Sequence, residues 1–273
     1  MTRIALLQMT SGIDPEANFA VIEQAARDAK GGGADILFTP EMALLLDRDR
    51  SRGRAAMEEP TYCEYHDRFC ALAETYDIDV ALGSMPHPLE GGMLANRSYY
   101  FRADGEGPGY YDKIHMFDVE LSTGESWRES AAYRPGERIF VDINTPLNTI
   151  GFTICYDLRF PALFDELGRH DCWAIAVPAA FTKPTGAAHW HVLLRARAIE
   201  ASAFIIAAAQ VGKHEDGRET YGHSLVVDPW GEVLLDMGGE EPGLAFCDID
   251  LKRIGEVRSQ VPSLANKRPI PKY

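Results

Sequence analysis

The chain opens with an apolar run, Ile4 to Met9, that stops after a few residues and predicts a buried strand. Asp14 and Pro15 supply an N-cap and a first helical position, and Phe19, Ile22, Ala26 and Ala29 then recur at helical spacing as far as Lys30. Gly31, Gly32 and Gly33 end that helix. Ile36 to Thr39 reads as a short buried strand, closed by Pro40 and Glu41. A β-α-β unit therefore heads the chain.

The same alternation continues. A helix through Tyr65, Phe69, Leu72 and Tyr76 leads to a strand at Ile78 to Gly83. Arg97 to Phe101 and Tyr110 to Ile114 are strands on either side of a turn marked by Gly105, Gly107 and Gly109. Ile139 to Ile143 and Thr149 to Ile154 are further strands, the second delivering Cys155, and Pro161 opens a helix through Leu163, Phe164 and Leu167. Trp173 to Val177 is a strand, Ala188 to Ser202 a helix and Phe204 to Ala209 a strand. Leu225 to Val227 and Val233 to Leu235 flank the turn Asp228-Pro229-Trp230-Gly231, and Leu244 to Ile249 is followed by a short helix after Leu251. From about residue 262 the chain is a polar arm containing prolines. With no Gly/Ser linker or repeat, the pattern predicts one α/β domain over residues 1–273, with mixed sheets covered by helices.

Composition narrows the class. The 273 residues are 46% hydrophobic and 25% charged, the balance of a folding chain rather than a disordered one. Asp and Glu (41) outnumber Lys and Arg (27), and the net charge of −14 with no basic patch excludes a nucleic-acid binder held by global charge. No stretch approaches the ~20 apolar residues of a membrane helix, and the N-terminus reads as a strand rather than a signal peptide, which points to the cytoplasm. Cys63, Cys70, Cys155, Cys172 and Cys247 are odd in number and form no CxxC pair, so neither a disulfide framework nor a zinc ribbon is signalled.

Three positions stand out chemically. Cys155 ends a buried strand just before a helix, the edge of an α/β sheet where ligands bind and backbone N–H groups point outward. Glu41 ends another strand, and partial burial there would raise its pKa towards that of a general base near neutrality. Lys113, among aromatic and apolar neighbours, could stabilise a developing oxyanion. Each has a plain structural alternative: a buried inert thiol, a helix-start carboxylate, a solvated lysine.

Together the segments Pro40-Glu41, Lys113-Ile114-His115 and Cys155-Tyr156-Asp157-Leu158-Arg159-Phe160-Pro161 resemble the Glu-Lys-Cys triad of the nitrilase superfamily of carbon–nitrogen hydrolases. The resemblance spans nearly the whole chain. It extends to Leu194-Arg195-Ala196-Arg197-Ala198-Ile199-Glu200, Tyr221-Gly222-His223-Ser224 and Asp228-Pro229-Trp230-Gly231, which look like landmarks of the Nit-type amidase branch. Two segments depart from it: Val119-Glu120-Leu121-Ser122 stands where the family often has Pro-Gly, and Ala162 where it often has Glu.

The resemblance implies a four-layer α-β-β-α sandwich, a homodimer or higher homo-oligomer, and no metal or organic cofactor. It further implies that Cys155 attacks an amide carbon, that Glu41 shuttles the proton to departing ammonia, and that Lys113 and the Tyr156 N–H hold the oxyanion. Glu129, in Arg128-Glu129-Ser130, would hold Lys113, with Glu125 a nearby alternative. Arg159, Phe181 and Thr185 match residues that contact the keto acid end of the substrate. From the sequence itself Arg159 either binds a substrate carboxylate or closes an internal ion pair.

Tyr156-Asp157 after the cysteine, where true nitrilases typically carry Trp-Glu, favours amides over nitriles. The loop at residues 212–220 resembles that of deaminated glutathione amidases, implying a small 2-oxo acid amide as substrate, deaminated glutathione or α-ketoglutaramate. The alternatives are N-carbamoyl amino acids or other aliphatic amides, and acyl transfer to an amine acceptor. His189 and His191 are two apart on a predicted helix and lack metal-helix spacing, while His115 reads as structural.

Overall fold

Side chains alternate across the first strand, and its two faces meet different partners. In the computed structural model, which describes residues 1–271 except 121–123 and 125, this strand is Thr2–Gln8. Ile4 and Leu6 join a core shared with Phe152, Ile175 and Ile205 from the second half of the chain. Ala5 and Leu7 instead pack with Phe19, Ile22 and Ala26. Ile36 and Phe38 turn inward in the same way, and Leu37 turns outward. Leu121, Ser122 and Glu125, singled out in the sequence, lie outside the described residues.

Among the described residues six α-helices flank the strands: α1 (Pro15–Gly31), α2 (Arg50–Glu58), α3 (Tyr65–Tyr76), α4 (Pro161–Arg169), α5 (Lys183–Ala201) and α6 (Lys252–Gln260). Asp14 caps α1, its carboxylate accepting from the N–H groups of Glu16 and Ala17. Helices α1 and α3 cover the outer face of one six-stranded sheet. Its strands run in the order Gly243–Ile249, Thr2–Gln8, Ile36–Phe38, Asp79–Pro88, Leu94–Phe101 and Gly109–Asp112. The second sheet runs Val233–Asp236, Leu225–Val227, Phe204–Ala207, Ala174–Ala176, Asn148–Phe152 and Val141–Thr145, with α4 and α5 packed on it. The result is a four-layer α-β-β-α sandwich.

Each sheet carries three parallel strands at its centre and antiparallel strands at its edges. The parallel strands of the two sheets are Thr2–Gln8, Ile36–Phe38 and Asp79–Pro88, and Asn148–Phe152, Ala174–Ala176 and Phe204–Ala207. Near-continuous apolar runs at these positions follow from burial on both faces.

Several elements differ from the sequence reading. Helix α2 is rich in arginine, with only Gly53 and Met57 buried, so it has almost no apolar stripe to betray it. Helix α5 starts five residues earlier than expected, at Lys183, because Pro184 is tolerated in a first turn. The strand expected over Tyr110 to Ile114 is Gly109–Asp112, which leaves Lys113 just beyond it. Two short ribbons, Asp118–Glu120 with Ser126–Arg128 and Val211–Lys213 with Glu219–Tyr221, were invisible because their residues are mostly polar.

Gly83 links the fold to the site. A Cβ there would stand 2.2 Å from the Thr39 carbonyl oxygen and 2.3 Å from that of Pro40, while the Gly83 N–H donates to Thr39 Oγ1 at 2.9 Å. The strand therefore passes against the backbone that delivers Glu41. Replacing Gly83 with Ala is expected to cost about 1–3 kcal/mol of stability through overpacking and to lower turnover by displacing Glu41. Thermal unfolding and steady-state kinetics on the one variant check both.

Candidate active site

Glu41 follows the central strand of one sheet and Cys155 follows a strand of the other, so both stand at carboxyl ends of parallel strands. Contacts between the halves hold these ends together. The Ala180 N–H donates to Glu41 Oε2 at 3.0 Å, and Gln210 Nε2 donates to the Glu41 carbonyl at 3.0 Å. Lys113, 2% exposed, reaches in from beyond Gly109–Asp112.

Cys155 begins a 3-10 turn, Cys155–Arg159, with φ +50°, a left-handed conformation that costs a non-glycine residue energy and recurs at functional positions. Its own N–H is taken by the Pro178 carbonyl at 2.8 Å. The Tyr156 N–H lies in the first turn, ahead of any intrahelical acceptor.

Around the thiol lies a dense set of charges. Lys113 Nζ donates to Glu41 Oε1 at 2.9 Å and to Glu129 at 3.1 Å (Oε1) and 2.9 Å (Oε2). Asn96 Nδ2 donates to the same two residues, at 3.0 Å to Glu41 Oε1 and 3.1 Å to Glu129 Oε1. The Phe117 N–H reaches Glu129 Oε2 at 2.6 Å. One ammonium thus serves two carboxylates, with an amide sharing the load.

Proton affinities follow from this arrangement. Burial pushes the Glu41 carboxyl up, but the Lys113 ammonium and hydrogen bonds from Cys155, Lys113 and Asn96 outweigh it and hold the group below the ordinary glutamate range. The expected upward shift of Glu41 is therefore corrected: the lysine beside it wins over desolvation. Burial pulls Lys113 down, yet Glu129 and Glu41 overcome this and keep it charged far above neutrality. Burial, then the Glu41 charge, pushes the Cys155 thiol well up against the opposing pull of Lys113. At rest the site holds a neutral thiol beside an ionised carboxylate.

Asp157, fully buried, ties the Cys155 turn to the Lys113 segment. It accepts from the His115 N–H at 3.0 Å, Tyr111 Oη at 2.8 Å and the Ile154 N–H at 2.9 Å, and its Oδ1 lies 2.7 Å from His115 Nδ1. The His115 ring stacks on Phe160 at 3.6 Å. Sequence reasoning gave no role to Asn96, Gln210 or Asp157. A signal for Asn96 was present: in Leu94–Phe101 it shares a face with buried Ser98 and Tyr100, and a buried amide in a strand needs a partner.

The pocket over the thiol is walled in part by Tyr156, Arg159, Phe181 and Thr185. The Thr185 hydroxyl lies 2.9 Å from that of Thr182, and Phe181 packs on Trp190 with centroids 4.7 Å apart. Both terminal nitrogens of Arg159 lie 3.3 Å from His189 Nδ1, and its guanidinium is 5.6 Å from the Phe181 ring centroid. No carboxylate among the described residues pairs with Arg159. Away from this pocket, His191, His223 and Asp236 bring ligand atoms within 4.8 Å of one another, a set that could hold a cation. Asp236 already meets both rings, at 3.0 Å from His191 and 2.9 Å from His223, so the cluster is self-satisfied.

Among the described residues no helix is long and apolar enough to cross a membrane. The family model for carbon–nitrogen hydrolases matches residues 3–259. A deaminated glutathione amidase of Yersinia enterocolitica is 40% identical over 271 residues, covering 97% of this chain and 92% of the relative. The crystal structure of the Caenorhabditis elegans NitFhit protein superposes with a TM-score of 0.90 at 33% identity, over 98% of this chain and 65% of that longer one. The amidase from Nesterenkonia sp. AN1, an E41Q mutant in which acrylamide adds to the active site cysteine, superposes with a TM-score of 0.79 at 26% identity, covering 96% of this chain and 98% of that one. The chain belongs to the carbon–nitrogen hydrolase family, as an amidase of the nitrilase superfamily.

Proposed function

We propose that this amidase hydrolyses deaminated glutathione through a thioester on Cys155. One observation carries the mechanism: a neutral thiol, an ionised Glu41 and a charged Lys113 share one pocket beside the Tyr156 N–H. The choice of substrate is supported by the name of the Yersinia enterocolitica relative and by Arg159, whose guanidinium is left to meet an anion.

Cys155 Sγ attacks the amide carbonyl carbon as Glu41 takes the thiol proton, and the carbonyl oxygen becomes an oxyanion beside Lys113 and the Tyr156 N–H. Collapse breaks the C–N bond, and Glu41 returns the proton to the leaving nitrogen. A water then gives its proton to Glu41 and attacks the thioester; the second collapse releases the carboxylate and re-forms the thiol. Glu129 and Asn96 keep Lys113 and Glu41 in position throughout. With deaminated glutathione the leaving amine is cysteinylglycine and the acyl product is 2-oxoglutarate. The ammonia expected from the sequence is the product only for a primary amide such as α-ketoglutaramate.

The reading extends to the assembly and its address. Val192 is 68% exposed and Ile199 50% exposed on α5, near Trp230 at 48%, an apolar face suited to a second copy in a homodimer. The cysteines are all unpaired, which fits a reducing, cytoplasmic compartment.

Kinetics with deaminated glutathione, α-ketoglutaramate and an N-carbamoyl amino acid are expected to favour the first, and failure to turn over any of them would sink the proposal. Cys155→Ala and Glu41→Gln should each lower kcat by about ten-thousandfold with the fold intact by circular dichroism. The pH profile follows from the depressed Glu41: its ion pair and its basicity persist above the usual glutamate value of about 4.3 and vanish only as pH falls through the lower folded value. kcat/KM should therefore hold steady from neutrality down to about 4.3 and fall only below it, and an acid limb near pH 6 would contradict the assignment. Light scattering after size exclusion should return twice the chain mass, and a charge at Val192 should return the monomer.

A further inference from the structure

Lining the same pocket is a set of charges that the mechanism does not use. Each of its carboxylates has a cationic partner: Glu41 and Glu129 share Lys113, Asp47 meets Arg52, and Glu219 meets Lys183 and Lys213. Among the lining arginines, Arg218 is paired with Asp216. The guanidinium groups of Arg48, Arg50, Arg54 and Arg159, by contrast, meet no carboxylate among the described residues, although the Arg48 backbone N–H donates to Asp216 Oδ2 at 2.9 Å. Arg50 donates only to the Arg128 carbonyl, at 2.6 Å, and Arg54 only to the Gly92 carbonyl, at 2.9 Å. The Arg48 guanidinium lies 5.3 Å from the Trp127 ring centroid. A protein of net charge −14 thus sets four guanidinium groups with no carboxylate partner among the described residues on one pocket.

These arginines come from two separate walls. Arg159 ends the turn that carries Cys155 and packs with His189 and Phe181. Arg48, Arg50 and Arg54 come from the approach to α2 and its first turns, against Gly92, Trp127 and Arg128. Arg48, Arg50 and Arg54 stand exposed on the outer wall and Arg159 is half-buried beside the thiol, so a single small anion held by one group would leave the other unused. The arrangement fits an amide that is anionic at both ends. A 2-oxoglutaryl group carries its carboxylate only a few bonds from the reacting carbon, so its anchor must adjoin the nucleophile, where Arg159 stands. The amine half is longer, and its anchor must lie further out.

We propose that Arg48, Arg50 and Arg54 form a second anion subsite that binds the terminal carboxylate of the leaving amine. The subsite selects secondary amides whose amine half ends in a carboxylate over primary amides that release ammonia. This rests on the reading of the substrate above, and it accounts for the placement of α2: the helix presents guanidinium groups that can each offer parallel N–H donors to a carboxylate.

The test compares deaminated glutathione with the same compound amidated at its glycine carboxylate, using release of 2-oxoglutarate as the readout. In the parent enzyme kcat/KM for the acid should exceed that for the amide by about 10- to 100-fold, the range of hydrogen bonds to a charged group. In a triple Arg48→Ala, Arg50→Ala, Arg54→Ala variant that ratio should fall close to one, with the change mainly in KM. Because the readout is a ratio within one protein, partial misfolding does not imitate it. A parent ratio near one, or a ratio that survives in the variant, overturns the subsite while leaving amidase activity in place. Absence of parent turnover on deaminated glutathione removes the substrate reading and the subsite together.

Discussion

A buried ammonium between two carboxylates is the constraint on which the rest depends. Moving a lysine into the interior costs several kcal/mol unless its charge is met, and here Glu41 and Glu129 meet it from two directions. The same contacts decide the chemistry. Lys113 keeps Glu41 ionised despite burial, and burial together with the Glu41 charge keeps the Cys155 proton in place. Two carboxylates around one ammonium leave an excess negative charge, which adds to burial in keeping the thiol neutral at rest rather than a thiolate. Asn96 fits this balance because it donates to both carboxylates without adding charge.

The architecture exists to make that cluster possible. Glu41 and Cys155 belong to different sheets, and each sheet ends its parallel strands at the shared edge. The inter-sheet core of Ile4, Phe38, Phe152 and Ile175 sets the distance between those ends, so apolar packing far from the thiol fixes the position of Glu41. Polar ties finish the alignment: Gln210 and Ala180 on the Glu41 side, Asp157 and His115 on the other. The left-handed backbone at Cys155 is held by this frame, since an isolated chain would relax it.

Much of this was legible along the chain. Strands buried on both faces announce themselves as apolar runs, and Asp14 with Pro15 marks a helix start by its own chemistry. What escaped notice has a common cause. Helix α2 and the two short ribbons carry polar residues whose roles are set by what they face, not by what they follow. Asn96 and Gln210 look like ordinary polar residues until a carboxylate or a carbonyl from a distant segment comes within 3.0 Å.

By itself the sequence determined the alternation of strands and helices and the layered α/β class, and its resemblance to the nitrilase superfamily singled out Glu41, Lys113 and Cys155 as the proposed reactive set, because strand ends and motif residues are local properties. Only the tertiary structure decided the protonation state of that set. A pKa depends on the sum of charges and burial within a few ångströms, and those neighbours come from positions 41, 96, 113, 129 and 155. It also decided that four arginines line the pocket with no carboxylate partner among the described residues, since pairing is a matter of distance in space, which spacing along a chain does not encode.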